Sequence, residues 1–248
     1  MTERNTDAIP KAALVTGGAK RIGRALVKRL VQEGYAVAIH YHESSLDAEM
    51  LLEEIMCNGG KACLLKGNLS QKNIAEQLIT AAYEKIGPLG ILINNAAYFE
   101  KDTIETLTPA CLEKHFAPNV RAPLFLIQKF SEQLPKGKKG LILNLLDQSV
   151  LNPCFDFISY NLSKSALWTL TQTLALALAP SIRVNAIAPG AVLPAKQQTD
   201  EHFNRMWKNT PLQLKTTPEE IAEAMMGFIT LGSVTGQILA LDGGQHLK

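Results

Sequence analysis

The sequence contains no long hydrophobic run. No stretch of its 248 residues approaches the ~18 apolar residues of a membrane-spanning helix, and the opening MTERNTDAIPKAALV has no uninterrupted apolar segment after its charges. The sequence therefore predicts neither a spanning helix nor a secretion signal, and we expect a cytoplasmic protein without membrane contact.

Cysteine is also scarce. The four cysteines, Cys57, Cys63, Cys111 and Cys154, lie far apart, and no two have the CxxC spacing of a zinc site. They do not form the closely spaced framework of a disulfide-stabilised domain either. We therefore expect buried or half-buried thiols in a reducing compartment, and no metal.

Neither sign of charge is in large excess. The chain carries 25 lysines and arginines against 23 aspartates and glutamates, for a formal net charge of +2, and has no dense basic stripe. Proteins that bind nucleic-acid phosphates concentrate such charges, so nucleic acid is not an expected partner. What the chain does have is 46% hydrophobic residues and enough length for one sizeable core in a single domain.

Short aliphatic runs alternate with longer segments of helical period, the pattern of βαβ units around a parallel sheet. Strands are predicted at Ala12–Thr16, Ala36–His40, Lys61–Lys66, Ile91–Asn94, Leu141–Asn144, Arg183–Ala188 and Gln237–Leu241. Helices are predicted at Ile22–Gln32, Leu46–Asn58, Lys72–Lys85, Pro109–Glu132, Ile158–Ala179 and Pro218–Thr230. Ala191–Lys215 has few regular apolar positions and is predicted to be a mobile loop near a ligand. We expect functional residues just after the strands, because open α/β sheets bind ligands outside the carboxyl ends of their strands.

A glycine-rich turn follows the first strand. Gly17 and Gly23 belong to Thr16–Gly23, where a helical pattern begins. Glycines let a phosphate approach the backbone, and the free N–H groups of a helix start attract pyrophosphate. A plain strand-to-helix turn is the alternative interpretation. Arg21 stands where the TGxxxGxG spacing usually has glycine, and its guanidinium could reach a phosphate or a polar substrate edge.

The end of the second predicted strand bears on the choice of dinucleotide. An acidic residue there would hydrogen-bond the ribose hydroxyls of NAD, but Tyr41 occupies that place. Lys20, His42 and Ser44 could surround the 2′-phosphate of NADP. Glu43 would repel that phosphate unless it points to solvent, as an acid at a helix start can. These residues together favour NADP(H).

Tyr160 and Lys164 lie four residues apart on a predicted helix and therefore on one face. A nearby ammonium favours the ionised form of a phenol, which makes a tyrosine of pKa ~10 usable for proton transfer. On a surface helix the same spacing can be a solvated lysine without function. Asn95–Ala96, Asn119 and Pro189–Gly190 stand where a bound cofactor would lie.

In these motifs and their order the sequence resembles the short-chain dehydrogenase/reductase family. TGGAKRIG, NNA, Asn119, YNLSK, PG and the terminal LDGG together span nearly the whole chain. The resemblance implies a single Rossmann-fold domain with a doubly wound, seven-stranded parallel sheet, and a homotetramer. It also implies that Tyr160 transfers a proton, that Lys164 lowers the pKa of Tyr160 and binds the nicotinamide ribose, and that Asn119 holds a water in a proton relay.

Within that family the sequence is similar to the pteridine and dihydromonapterin reductases. Asp147 stands thirteen residues before Tyr160, where most members have serine, and Arg21 replaces the turn glycine. Phe99 matches an aromatic that stacks on the pterin ring in that branch. The resemblance implies that Arg21, Phe99, Asp147 and Tyr160 bind the pteridine and that Asp147 helps to protonate it. Ser149 is the alternative to Asp147 under a shifted alignment, and a core Phe99 with a turn-capping Asp147 is the alternative without function.

The sequence therefore predicts an NADPH-dependent reductase of a dihydropterin, dihydromonapterin or dihydrofolate. The predicted catalytic residues are Asp147, Tyr160, Lys164 and Asn119, and the predicted cofactor site is made of Gly17, Lys20, Arg21, Ile22, Gly23, Tyr41, His42, Ser44, Asn68, Leu69, Asn95, Ala96, Tyr160, Lys164, Pro189 and Gly190. Asn68 replaces an adenine-binding aspartate common in the family, and its amide can take over that contact.

Two other functions stay open. One is a ketone reductase of the 3-oxoacyl-carrier-protein type, for which Asp147 is poorly suited because an ionised carboxylate opposes the developing oxyanion. The other is a dinucleotide-sensing or scaffold protein on an inherited fold.

Overall fold

Seven strands run parallel in one sheet of the computed structural model, which describes residues 9–194 and 198–248. In chain order they are β1 (Ala12–Val15), β2 (Ala36–Tyr41), β3 (Ala62–Lys66), β4 (Ile91–Asn94), β5 (Gly140–Leu145), β6 (Ile182–Pro189) and β7 (Ile238–Leu241). Across the sheet their order is β3-β2-β1-β4-β5-β6-β7. The predicted doubly wound α/β fold with seven parallel strands is confirmed.

Helices cover both faces of the sheet, which is why the strands are apolar at nearly every position. The helices are α1 (Arg21–Gln32), α2 (Ser45–Cys57), α3 (Ile74–Ile86), α4 (Pro109–Phe116), α5 (Ala122–Gln133), α6 (Ile158–Ala177), α7 (Asp200–Lys208) and α8 (Pro218–Thr230). Successive side chains of a strand point to opposite faces. Ala13 and Val15 therefore pack in one core with α1, α2 and α8, whereas Ala12 and Leu14 pack in a second core with α3, α5 and α6.

The strand order reverses at β1, which lies between β2 and β4. The crevice outside the carboxyl ends of the strands on either side of such a reversal is where open α/β sheets bind ligands. The register pairs Val15 with Ile93, so the chain segments that begin at Thr16 and Asn95 leave the sheet side by side. The candidate site lies at this edge, where the carboxyl ends of the strands meet.

The predicted helix Pro109–Glu132 is interrupted by a π-helical turn at Ala117–Arg121. Pro118 and Pro123 lack the N–H groups that a continuous α-helical ladder needs, so the backbone widens here. All other predicted elements match the observed ones to within two residues at each end.

The predicted loop Ala191–Lys215 is wrong in its middle, because α7 lies within it. The side chain of Thr199 accepts the N–H of His202 and caps this helix. Phe203 is the buried residue of this nine-residue helix, which leaves too little apolar periodicity for the pattern to indicate it. Residues 195–197 of the predicted loop lie outside the described residues.

Cys57 and Cys154 are exposed, contrary to the expectation of buried or half-buried thiols, because one ends α2 and the other lies in the segment before α6. Cys63 and Cys111 are half-buried. Within residues 9–194 and 198–248, no helix is long and apolar enough to cross a bilayer. In the same two ranges, no group of three or more His, Cys, Asp or Glu side chains could hold a metal ion.

Candidate active site

A cavity of about 1020 Å³ lies at the edge where the strands end. It brings together nearly all the residues predicted to bind cofactor or substrate or to act in catalysis: Gly17, Lys20, Arg21, Ile22, Gly23, Tyr41, His42, Ser44, Asn68, Leu69, Asn95, Ala96, Phe99, Asp147, Tyr160, Lys164, Pro189 and Gly190. Among the described residues, Asn119 is the predicted site residue that does not line it.

The turn between β1 and α1 presents backbone to the cavity. Gly17 has a φ of 61°, in the left-handed region that favours glycine. A Cβ atom on Gly23 would lie 2.1 Å from the carbonyl oxygen of Gly17, so a larger residue would displace the turn. Lys20, the N-cap of α1, makes no side-chain capping bond within the described part of the chain. The first N–H groups of α1 therefore suit an anion such as pyrophosphate.

Asn95 and Thr16 hold this turn against the end of β4. The Nδ2 atom of Asn95 donates to the carbonyl oxygens of Thr16 (2.9 Å) and Gly17 (3.1 Å). The Oγ1 atom of Thr16 accepts the N–H groups of Asn95 (3.0 Å) and Ala96 (3.1 Å). Asn95, a predicted cofactor residue, thus also positions the phosphate-binding turn.

His40 supports the other side of the turn and is not among the predicted site residues. Its Nδ1 accepts the N–H of Gly17 (3.2 Å), and its Nε2 lies 3.1 Å from the carbonyl oxygen of Gly67, to which it donates in that tautomer. Burial lowers the pKa of His40 to about 4, so the ring is neutral near pH 7. A histidine in an otherwise apolar strand is the signal that could have found it, because a buried imidazole needs partners.

Arg21 joins the two sides of the cavity. Its φ is 54°, so the residue that replaces the usual glycine keeps the left-handed backbone at a cost of about 1–2 kcal/mol. Its guanidinium donates to the carbonyl oxygens of Leu193 (3.2 Å) and Pro194 (3.0 Å), which follow β6. The predicted contacts of Arg21 with phosphate and substrate stay predictions.

The residues after β2 line the cavity beside the phosphate-binding turn. The Glu43 side chain is 87% exposed, so the interpretation of this acid as a solvated charge is favoured. Its carboxylate lies 3.9 Å from Nδ1 of His42, which lines the cavity together with Lys20 and Ser44. Tyr41 ends β2 beside them. These positions agree with the predicted preference for NADP(H).

Tyr160 and Asp147 are hydrogen-bonded in the cavity wall. The Tyr160 hydroxyl donates to Oδ2 of Asp147 over 3.2 Å. Oδ1 of Asp147 accepts the N–H of Ser149 (2.9 Å), because Asp147 also caps the 3₁₀ turn Gln148–Val150. Burial, followed by the charge of Asp147 and the hydrogen bond to it, raises the pKa of Tyr160 well above its ordinary value. The contact favours Asp147 over Ser149 as the partner of the tyrosine.

Lys164 is buried behind Tyr160. Its Nζ donates to the carbonyl oxygen of Leu145 (2.7 Å) and lies 5.6 Å from the centre of the Tyr160 ring. Burial lowers the pKa of Lys164 to about 8, while the charge of Asp147 opposes that effect. Burial and Asp147 raise the pKa of Tyr160 in this structure, and the expected role of Lys164 in lowering that pKa stays a prediction. The phenol is therefore protonated near neutral pH.

Asn119 lies in the π-helical turn and is 1% exposed. Its Nδ2 donates to the carbonyl oxygen of Tyr98 (3.0 Å) and to Oγ of Ser163 (2.9 Å), and its Oδ1 accepts the N–H of Tyr98 (2.8 Å). Ser163 in turn donates to the carbonyl oxygen of Tyr160 (2.7 Å). Asn119 therefore ties the segment after β4 to α6, and its role in holding a water stays a prediction.

Phe99 presents an aromatic face at the cavity. The side chain is 51% exposed, which does not fit the alternative of a core aromatic. Its ring stacks on Phe157 with centroids 4.8 Å apart and planes 11° apart, and meets the edge of Tyr160 at 4.7 Å. A flat aromatic therefore lies beside Tyr160, the predicted proton donor.

The residues present fit a pyridine dinucleotide. One end of the cavity is a backbone cradle at Gly17 and Gly23, and the other end holds Tyr160 and Lys164. Gly190 lets the segment after β6 pass close to Asp242, since a Cβ on Gly190 would lie 2.7 Å from the Cβ of Asp242. Such a site can hold phosphates at one end and donate a proton at the other.

Comparisons with known proteins agree with this geometry. Residues 11–204 match the family model of the short chain dehydrogenases. A crystal structure of FolM alternative dihydrofolate reductase 1 from Brucella canis, complexed with NADP, has a TM-score of 0.95 and 41% identity, covering 99% of this chain and 97% of that chain. The uncharacterized oxidoreductase YgfF of Escherichia coli is 32% identical over 244 residues, 94% of this chain and 99% of its own length.

A more distant relative, the 3-oxoacyl-[acyl-carrier-protein] reductase FabG of Staphylococcus epidermidis, is 28% identical over 244 residues, 96% of this chain and 99% of its own length. The match to the family model includes Gly17 and Gly23 at one end of the cavity and Tyr160 and Lys164 at the other. The chain therefore belongs to the short-chain dehydrogenase/reductase family of oxidoreductases, in its pteridine reductase-like branch.

Proposed function

We propose that the protein uses NADPH to reduce a dihydropteridine, such as a dihydropterin, dihydromonapterin or dihydrofolate. The observation that carries the proposal is the 3.2 Å hydrogen bond from Tyr160 to Asp147 in a cavity whose wall also presents Phe99. The similarity to the Brucella canis FolM alternative dihydrofolate reductase supports the substrate class.

NADPH, when bound, supplies a hydride to the carbon of a C=N bond in the substrate. The turn at Gly17 and Gly23 would hold the pyrophosphate, and Lys164 would hold the nicotinamide ribose. Lys20, together with His42 and Ser44, would hold the 2′-phosphate. The NADP in the Brucella canis structure supports this choice of cofactor.

Tyr160 would deliver the proton to the ring nitrogen next to the reduced carbon. The phenol carries its proton near neutral pH, as a proton donor must, although its raised pKa makes it a weaker acid than a free tyrosine. Asp147 holds the hydroxyl in place by accepting its hydrogen bond. Phe99 offers a stacking face to a flat, electron-poor heterocycle.

Reduction of a ketone, as the name of the Staphylococcus epidermidis relative indicates for that protein, is the second candidate. A ketone oxygen gains negative charge as the hydride arrives and needs hydrogen-bond donors. The Asp147 carboxylate, which accepts the Tyr160 hydrogen bond, would repel that oxygen. Asp147 is therefore the residue that argues against this candidate.

We further propose that the protein works in the cytoplasm as a homotetramer, as the family resemblance implies. Helices α5 and α6 carry exposed apolar side chains, Phe125, Leu162 and Leu176, which would suit helix pairing between subunits. Sedimentation would measure the oligomeric state.

A substrate panel tests the proposed function. NADPH and NADH oxidation would be followed by the absorbance of the reduced nicotinamide with dihydrobiopterin, dihydromonapterin, dihydrofolate and an acetoacetyl thioester. We expect at least one dihydropteridine to exceed the thioester by about tenfold or more in kcat/KM. A preference for the thioester would make the protein a carbonyl reductase, and tight NADPH binding without turnover would indicate a dinucleotide-sensing protein.

A further inference from the structure

Asp102 is a buried carboxylate that the proposed reaction does not use. It lies between β4 and α4, is 2% exposed, and is not among the described residues that line the cavity. Burying a carboxylate is unfavourable unless hydrogen bonds replace the lost water. The partners of Asp102 therefore indicate what it stabilises.

Asp102 contacts the start of helix α6. The backbone N–H of Ser159 lies 3.1 Å from its Oδ1 and 3.3 Å from its Oδ2. Its own carbonyl oxygen accepts the N–H of Phe157 (2.8 Å). The thiol of Cys111 donates to Oδ2 (3.6 Å) and completes the shell of the carboxylate.

The start of α6 has an unusual backbone and no cap of its own. Phe157, the N-cap residue, has a left-handed backbone with a φ of 59° and a ψ of 43°, and makes no side-chain capping bond in the described ranges. The first N–H groups of a helix have no partner within the helix, and a negative charge is favourable there. Asp102 supplies both from 57 residues away in the sequence.

Tyr160 immediately follows Ser159 and lies in the first turn of α6. A helix that loses its cap frays from this turn, which would move the Tyr160 hydroxyl relative to Asp147. Lys164 lies one turn further into α6 and is held separately by its bond to Leu145. Loss of the Asp102 cap should therefore disturb proton transfer more than cofactor binding.

The ionisation of Asp102 agrees with a capping role. Burial alone would raise its pKa, but hydrogen bonds from Ser159 and Cys111 outweigh burial and keep the pKa below the ordinary value of an aspartate. The carboxylate is therefore charged near neutral pH.

We propose that Asp102 is a positioning residue: it caps α6 through Ser159 and so places the Tyr160 hydroxyl at Asp147. This inference depends on Tyr160 as the proton donor of the proposed function, but not on which substrate the protein reduces.

The test compares Asp102→Ala, Asp102→Asn and Thr217→Ala with the wild type. Asparagine keeps an oxygen that can accept the Ser159 N–H, whereas alanine does not. Thr217 caps α8 with its side chain and lies outside the cavity lining, so Thr217→Ala is a matched loss of a helix cap. The measurements are kcat and KM with the best substrate of the panel, the Kd of NADPH, and amide hydrogen exchange of the peptide that contains Ser159 and Tyr160.

We expect Asp102→Ala to lower kcat at least about tenfold, because small displacements of a reacting group cost that much or more. The Kd of NADPH should change less than about threefold. Asp102→Asn should restore most of kcat, and Thr217→Ala should keep it. Hydrogen exchange at the start of α6 should accelerate in Asp102→Ala but not in the other two variants.

An unchanged kcat in Asp102→Ala would overturn the proposal, as would equal damage from Thr217→Ala or no rescue by asparagine. Unchanged exchange at the start of α6 would also overturn it. If the wild type reduces nothing in the panel, the proposed function fails, and the exchange measurement still decides whether Asp102 holds the first turn of α6.

Discussion

The two ends of the cavity are built in different ways. At the phosphate-binding end, Gly17 and Gly23 lie within one short turn that presents backbone N–H groups. His40 in β2 and Asn95 just after β4 hold this turn by hydrogen bonds. At the proton-transfer end, Asp147 and Tyr160 come from different elements, separated by thirteen residues. Asp102 contacts the same end from 57 residues away.

The glycine turn can be predicted from a sequence motif, whereas the surroundings of the Tyr160 hydroxyl form only when the chain folds. A glycine turn works through backbone geometry, so the order of a few neighbouring residues predicts it, even though Asn95 holds it from 78 residues away. A proton donor works through the exact partner of one hydroxyl, so its neighbours decide whether it keeps its proton. The first end follows the pattern of the family, whereas the proposed specificity of the second end depends on Asp147 and Phe99.

The largest expected effect comes from a substitution that changes only the proton-transfer end of the cavity. Tyr160→Phe should lower kcat by about 100-fold or more, because a positioned proton donor contributes that much. The Kd of NADPH should stay near the wild-type value, because the glycine turn is untouched. Tyr35→Phe, at a buried tyrosine of the core away from the cavity, is the control for loss of a hydroxyl. Full turnover in Tyr160→Phe would show that another group donates the proton.

The next prediction concerns the support of the phosphate-binding end. The folded pKa of His40 is about 4, against an ordinary value of 6.5. Between these pH values the unfolded chain binds a proton that the folded protein does not, so the free energy of unfolding falls as the pH falls through this window. The decrease due to His40 should be about 3 kcal/mol, at about 1.4 kcal/mol per unit of pKa.

Urea unfolding of wild type and His40→Gln at several pH values between 7 and 4 checks this prediction. Glutamine does not titrate, so its curve should lack the part of the pH dependence that His40 contributes. Parallel curves for the two proteins would contradict the assignment of a neutral, buried imidazole.

The smallest expected effect concerns the preference for NADPH over NADH. Lys20→Ala should weaken NADPH binding about tenfold with little change for NADH, because one charge-assisted hydrogen bond is worth roughly 1.5–3 kcal/mol. Lys28→Ala, which removes a lysine of α1 that pairs with Glu54 of α2, is the matched control. Equal losses for NADPH and NADH would place Lys20 at the pyrophosphate rather than at the 2′-phosphate.

The sequence patterns predict the central strands of the sheet well because these strands are buried on both faces, as the agreement at β4 and β5 illustrates. They also predict which residues gather at the cavity, because the carboxyl ends of parallel strands share one edge. Helix α7 escapes prediction because its apolar face is too short, although Thr199 and the acids after it could indicate a helix start. The roles of His40 and Asp102 could not be predicted from the sequence, because they depend on partners that are distant in sequence.

The direction in which the pKa of Tyr160 shifts could not be predicted from the sequence either. The spacing of Tyr160 and Lys164 predicts that the nearby ammonium lowers the pKa of Tyr160, whereas the pKa in the folded protein is raised. Burial and Asp147 dominate, and neither can be weighed before the chain is folded.

Asp147→Ser tests the central claim most directly. The claim is that Asp147 and Tyr160 together direct the protein toward dihydropteridines rather than ketones. The measurement is kcat/KM for the best dihydropteridine and for an acetoacetyl thioester, in wild type and in Asp147→Ser, with the Kd of NADPH as the control. The account predicts that the variant binds NADPH normally, loses about 100-fold in dihydropteridine turnover, and gains relative to wild type on the thioester. Unchanged dihydropteridine reduction in the variant, or efficient thioester reduction by the wild type, would contradict it.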